Sequence, residues 1–134
     1  MYRPAITGTG VFTPPQVITN AELVAAFNAY ADRMNAADAD AIAAGEAEPM
    51  QHSSEEFIFK ASGIERRHVM DKTGVLDPQV MHPLLRQRSD DEPSLMAEMA
   101  LDAATKALAQ AGRTPADIDL VICAASNMER AYPA

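Results

Sequence analysis

The one thiol in the chain, Cys123, sits in the run "LVICAA" at 120–125. A cysteine attacks as its thiolate, and a reactive one needs a nearby cation or helix N-terminus to lower its pKa. Apolar residues surround Cys123 in sequence, so it is expected to be a buried structural thiol rather than a nucleophile. His52, His68 and His82 fall in separate segments with no carboxylate or cysteine at a ligand spacing, and no metal site is expected. "GTG" at 8–10 begins like a dinucleotide fingerprint, but Thr13 stands where the third glycine is required, which points to close packing instead. "SDDE" at 89–92 could hold a cation, yet directly before Ser94 it reads as negative charge at a helix N-terminus. No nucleophile, base and oxyanion donor come together in this pattern, and no catalytic residue is assigned.

The elements that would position any chemistry alternate between strands and helices. Residues 5–12 read as a short strand closed by Pro14 and Pro15, with Gly8 and Gly10 allowing close approach. Thr19 and Glu22 have capping-box spacing, and Leu23, Phe27 and Tyr30 recur at helical intervals, so a helix begins near Asn20. An alanine-rich, acidic stretch over 32–48 predicts a second helix, ended by Gly45 and Pro49. "SSEEFIFKASG" predicts a short helix with Ser53 and Glu56 as its capping box and Gly63 as its left-handed stop. Residues 64–70 suggest a strand, and 71–93 a long loop. The clearest helix runs from the cap Ser94 to the stop Gly112, with Met96, Met99, Ala100, Ala103, Ala107 and Ala111 in one apolar stripe. The apolar run 120–125 then predicts a strand buried on both faces of a parallel sheet. The fold class is α/β.

With 134 residues and 48% hydrophobic content, the totals alone suggest one domain with its own core. Eleven basic and nineteen acidic residues give a net charge of −8, which opposes nucleic-acid binding. No apolar run reaches the length of a membrane span, the first residues lack a signal-peptide pattern, and a lone cysteine suits a reducing compartment, so a cytoplasmic protein with no membrane partner is expected.

Four blocks, in order, carry a resemblance: "ITGTGVFTPPQVITNAELV", "SSEEFIFKASGIERRHV", "MALDAATKALAQAGRTPADIDLVICAASN" and "ERAYPA". Together they resemble the N-terminal part of β-ketoacyl-acyl-carrier-protein synthase III enzymes, "SGIERRH" and "AYPA" being the most specific pieces. The resemblance implies a thiolase-like, layered αβαβα fold, of which this chain covers only part of the N-terminal half. Residues 31–50 and 71–92 are longer than in the housekeeping enzymes and read as insertions, favouring a specialised branch with longer acyl-CoA primers.

The implied activity is an acyltransferase of fatty acid biosynthesis that condenses an acyl-CoA with malonyl-acyl-carrier protein through an acyl-cysteine. The implied nucleophilic cysteine, histidine and asparagine have no match in these residues, and Cys123 does not match the cysteine. A homodimer containing the remainder of the same enzyme is implied, with no separate cofactor. The alternatives are another thiolase-superfamily condensing enzyme, such as a hydroxymethylglutaryl-CoA or alkylquinolone-forming synthase, or a noncatalytic acyl-CoA-binding or interaction module. For substrate binding, the family's hydroxyl, aromatic and arginine that hold the coenzyme A adenine match Ser53, Phe57 and Ala61. Ala61 lacks the cation, for which Lys60 or a later arginine would have to substitute, and a core role for Phe57 and Ile58 is the competing reading. Tyr132 matches an aromatic that crosses the dimer interface to close the partner's acyl pocket.

Overall fold

The computed structural model describes residues 3–126, which divide into two compact units: residues 14–86, and the flanking residues on either side of them. In the central unit, strand β1 (Gln16–Thr19) leads without a loop into helix α1 (Asn20–Ala37). Thr19 accepts from the Glu22 N–H at 3.2 Å while the Glu22 carboxylate accepts from the Thr19 N–H at 2.8 Å, the reciprocal box that its spacing predicts. The buried apolar residues of this unit come from the strand and the helix: Ile18 of β1 is 1% exposed, and Ala26 and Ala31 of α1 are buried.

Helix α1 runs on to Ala37, taking in the first part of the alanine-rich stretch, because nothing between Tyr30 and Ala37 breaks a helix and alanine favours one. The chain bends at Asp38, forms the short helix α2 (Ala39–Ala43), and stops at Gly45 with φ 72°. The expected second helix is thus divided at Asp38. Helix α3 (Glu55–Ser62) ends on Gly63 at φ 69°, as expected. Strand β2 (Arg66–Val69) pairs antiparallel with β1, Ile18 opposite Arg67 and Thr19 opposite Arg66. Beyond it the chain loops, held by Asp71, whose carboxylate accepts from the Thr73 hydroxyl at 2.6 Å and from the Leu84 N–H at 2.9 Å. Gly74 is buried in this loop, where a side chain would collide with the His82 carbonyl oxygen.

The flanking unit is built on α4 (Leu95–Ala111). Ser94 caps it by accepting from the Ala97 N–H at 3.1 Å, Gly112 ends it at φ 63°, and Lys106 pairs with Asp102 one turn earlier. Gly8 and Gly10 lie directly on the helix backbone, at Ala107 and Ala103, so the two glycines and the alanine stripe do permit the close approach expected of them. A single 3₁₀ turn, Pro115–Asp117, follows the helix.

Four expectations are corrected here. Residues 5–12 and 120–125 are not strands: among the described residues the sheet consists of β1 and β2 alone. A strand needs a neighbour to receive its N–H and C=O groups, and neither run has one. Leu120, Val121 and Ile122 are therefore 75%, 80% and 83% exposed, and Cys123, expected to be buried, is exposed as well. The apolar content does not build one continuous core either; Ile18, Ala26 and Ala31 are the buried apolar residues among those described. The result is a mixed helical structure with a small antiparallel sheet, consistent with part of a thiolase-like enzyme. No described helix is long and apolar enough to cross a membrane.

Candidate functional site

The substrate-binding residues expected in the central unit lie at the start of α3, and α1 determines how that helix is presented. Asn20, Asn28, Asp32 and Asn35 fall within about 120° of one another around the α1 axis at 100° per residue. Asn28 holds both backbone groups of Ser53: its Oδ1 accepts from the Ser53 N–H at 2.8 Å and its Nδ2 donates to the Ser53 carbonyl at 3.2 Å. Two turns on, Asn35 does the same for Met50, at 2.8 and 3.0 Å. Between them Asp32 meets the His52 ring at 2.7 Å. At the other end of α3, the Asn20 Nδ2 donates to the Ile64 carbonyl at 2.8 Å, and the Asn20 N–H donates to the Glu65 carbonyl at 3.2 Å. Helix α3 is slung between two asparagines of α1.

The adjacent serines divide their work. The helix cap expected of Ser53 belongs to Ser54, whose Oγ accepts from the Phe57 N–H at 3.1 Å, because α3 begins one residue later than the spacing of Ser53 and Glu56 suggests. Ser53 keeps its backbone tied to Asn28, and its hydroxyl makes no hydrogen bond among the described residues. Phe57, in the first turn, is 67% exposed, whereas Ile58 turns partly inward. Phe57 is not a core residue of this chain. Lys60 and Ala61 are exposed one turn further along, and Tyr132 lies outside the described residues.

Beneath α3's C-terminal anchor, a charged cluster ties β1 to the loop after β2. Lys72 donates to the Glu22 carboxylate at 2.9 Å and to the Val17 carbonyl at 3.3 Å, and Arg67 reaches the Asn20 side chain at 3.2 Å. The Thr19 N–H, followed by Lys72 and the Thr19 hydroxyl, lowers the Glu22 pKa from 4.5 to about 2. The Thr73 hydroxyl and the Leu84 N–H lower that of Asp71 from 3.8 to about 2. Both carboxylates serve as fixed acceptors in the framework.

In the flanking unit, an apolar trough of about 1240 Å³ separates α4 from residues 118–125, with Met96, Met99, Leu108, Val121 and Cys123 on its walls. Cys123, a free thiol, lies on its wall together with the hydroxyl-bearing Ser94 and Thr105. Among the described residues, no three His, Cys, Asp or Glu side chains are grouped so as to hold a metal ion.

No protein-family model matches the chain. Over 108 residues, 81% of its length, it is 56% identical to the β-ketodecanoyl-[acyl-carrier-protein] synthase of Pseudomonas aeruginosa. The β-ketoacyl-[acyl-carrier-protein] synthase III of Caulobacter vibrioides is 29% identical over 98% of the chain, and that of Rhizobium johnstonii 30% identical over 100%. The chain is homologous to the β-ketoacyl-acyl-carrier-protein synthase III proteins. It spans 31%, 27% and 28% of the length of these three relatives. A synthase III relationship makes the presentation of α3 the feature of interest, since the candidate residues Ser53 and Phe57 lie at its N-terminal end. Sequence reasoning singled out Ser53 and Phe57 as candidates but did not anticipate that Asn28 holds the backbone of Ser53. The signal was available: four polar residues on one face of a helix whose other positions are largely alanine and larger apolar side chains.

Proposed function

We propose that this chain forms part of a condensing acyltransferase of fatty acid biosynthesis, which extends an acyl-CoA with malonyl-acyl-carrier protein. In that reaction a cysteine thiolate displaces coenzyme A from the acyl thioester. Decarboxylation of the malonyl group then yields an enolate that attacks the acyl-enzyme, releasing the cysteine, carbon dioxide and the β-ketoacyl carrier protein. The chain's own part is to receive acyl-CoA: Ser53 offers a hydroxyl to the nucleotide, Phe57 offers a ring face to the adenine, and none of the described residues is assigned to bond making. With Ala61 where a stacking cation would stand, adenine recognition leans on Phe57. The complete enzyme is proposed to be a cytoplasmic homodimer in which Tyr132 helps close the partner's acyl pocket.

The observation that carries this reading is the 56% identity to a β-ketodecanoyl-[acyl-carrier-protein] synthase. It also favours a medium-chain primer, two carbons shorter than a β-ketodecanoyl product. The test is to supply the complete enzyme with malonyl-acyl-carrier protein and acyl-CoAs of graded length, and to identify the products by mass spectrometry. The expected outcome is a β-ketoacyl carrier protein two carbons longer than the primer, formed fastest with medium-chain donors. Absence of condensation with every acyl-CoA, together with unchanged acyl-CoA binding on Phe57→Ala, would overturn it.

A further inference from the structure

We infer that Asn28 is a positioning residue for acyl-CoA recognition: by holding both backbone groups of Ser53 it fixes the start of α3, and with it the Ser53 hydroxyl and the Phe57 ring. The inference rests on the acyl-CoA reading of Ser53 and Phe57.

The geometry separates Asn28 from an ordinary packing residue. An amide that donates to the carbonyl and accepts from the N–H of one residue reproduces the pairing of a β-bridge, and so fixes that residue in two directions at once. The pinned residue is Ser53, immediately before the cap Ser54 and four positions before Phe57. Any rotation of the Ser53 peptide would swing the cap, the first turn of α3 and the Ser53 hydroxyl together. Ser53 cannot compensate through its side chain, because Ser54 already provides the cap. Asn35 makes the same pair of hydrogen bonds to Met50, three residues upstream, and closes the excursion of residues 36–49 that contains α2. The same chemistry therefore occurs twice on α1, once beside the proposed substrate residues and once away from them, which supplies an internal control.

The experiment uses steady-state kinetics of the complete enzyme carrying Asn28→Ala, Asn28→Asp, Asn35→Ala or Phe57→Ala, with KM measured separately for acyl-CoA and for malonyl-acyl-carrier protein. Loss of a paired amide that sets ligand geometry should raise the KM for acyl-CoA about three- to tenfold in Asn28→Ala, with kcat and the other KM near wild type. Asn28→Asp retains the acceptor for the Ser53 N–H and loses the donor to its carbonyl; it should fall between wild type and Asn28→Ala and provides the measurement if the alanine variant does not fold. Asn35→Ala should lower thermal stability while leaving the acyl-CoA KM near wild type. If Phe57→Ala raises that KM and neither Asn28 variant does, the positioning role is wrong and the acyl-CoA reading stands. Equal increases in Asn28→Ala and Asn35→Ala would reduce the effect to general loosening and also overturn the role. No change in any variant, Phe57→Ala included, would overturn the role and the acyl-CoA reading of α3 together.

Discussion

At the scale of single residues, the central unit depends on groups whose ionisation is fixed by hydrogen bonds. Glu22 is held ionised to about pH 2 by the Thr19 N–H and Lys72, and Asp71 similarly by Thr73 and the Leu84 N–H. A carboxylate whose folded pKa lies below its unfolded value adds stability above the unfolded pKa and loses it as pH falls through the folded one. The window therefore runs from about 4.5 down to about 2 for Glu22, and from 3.8 down to about 2 for Asp71. Acid titration of the complete enzyme, followed by circular dichroism, should show stability declining through that window. Glu22→Gln keeps a side chain suited to the capping box but does not titrate, so it should flatten part of the decline. At Phe57 the expectation is kinetic. An aromatic that is 67% exposed has little packing to lose, so Phe57→Ala should raise the acyl-CoA KM by about five- to 150-fold, the equivalent of the roughly 1–3 kcal/mol that aromatic stacking on a base provides. The melting temperature of the complete enzyme should change little, and a large drop would mean that the ring packs against residues outside this chain.

Among the elements, α4 and the segment carrying Gly8 and Gly10 test how tightly a helix backbone can be approached. A Cβ at Gly10 would run into the Ala103 carbonyl oxygen, and one at Gly8 into that of Ala107, both of them main-chain atoms that cannot step aside. Gly10→Ala should therefore cost roughly 1–3 kcal/mol, the range for overpacking a close contact, read as a lowered denaturation midpoint in the complete enzyme. A midpoint unchanged by Gly10→Ala would mean that this contact is not held tightly in the enzyme. The same elements explain what could be read in advance. The end of α3, both limits of α4 and the start of α1 were legible because their signals are local: Thr19 with Glu22, Ser94, Gly63 and Gly112 act within a turn of where they stand. The cap at Ser54 was missed by one residue because two serines in a row satisfy the same pattern, and the Asn28 clamp on Ser53 settles which one is left for the helix. Strand β1 was not anticipated since four residues beside two prolines carry too little alternation; its partner Arg66–Val69 lies about fifty residues away, and pairing alone makes it a strand. The runs 5–12 and 120–125 have strand composition without a strand neighbour, and composition cannot provide one.

On the scale of the whole molecule, the balance between apolar content and burial sets the strongest expectation. Almost half the residues are hydrophobic, yet Leu120, Val121 and Ile122 expose more than 70% of their surface and line the trough beside α4. Contiguous apolar surface of this kind seeks cover, by a partner or by aggregation. The relatives are about three times as long as this chain, so in the proposed enzyme the cover would come from the rest of the protein. The isolated 134 residues should therefore unfold without a sharp cooperative transition and self-associate at micromolar concentration. Cys123 offers a direct probe at the centre of that surface, because it is exposed here and apolar neighbours flank it. Its reaction with a maleimide should approach the rate of an unstructured thiol in the isolated chain and slow by orders of magnitude in the complete enzyme, where a covered strand denies access to the reagent. Intact-mass measurements over a labelling time course would separate the two. Slow labelling of the isolated chain, with a single sharp unfolding transition, would mean that residues 120–125 find cover within these 134 residues, and would favour an independent module over part of a condensing enzyme.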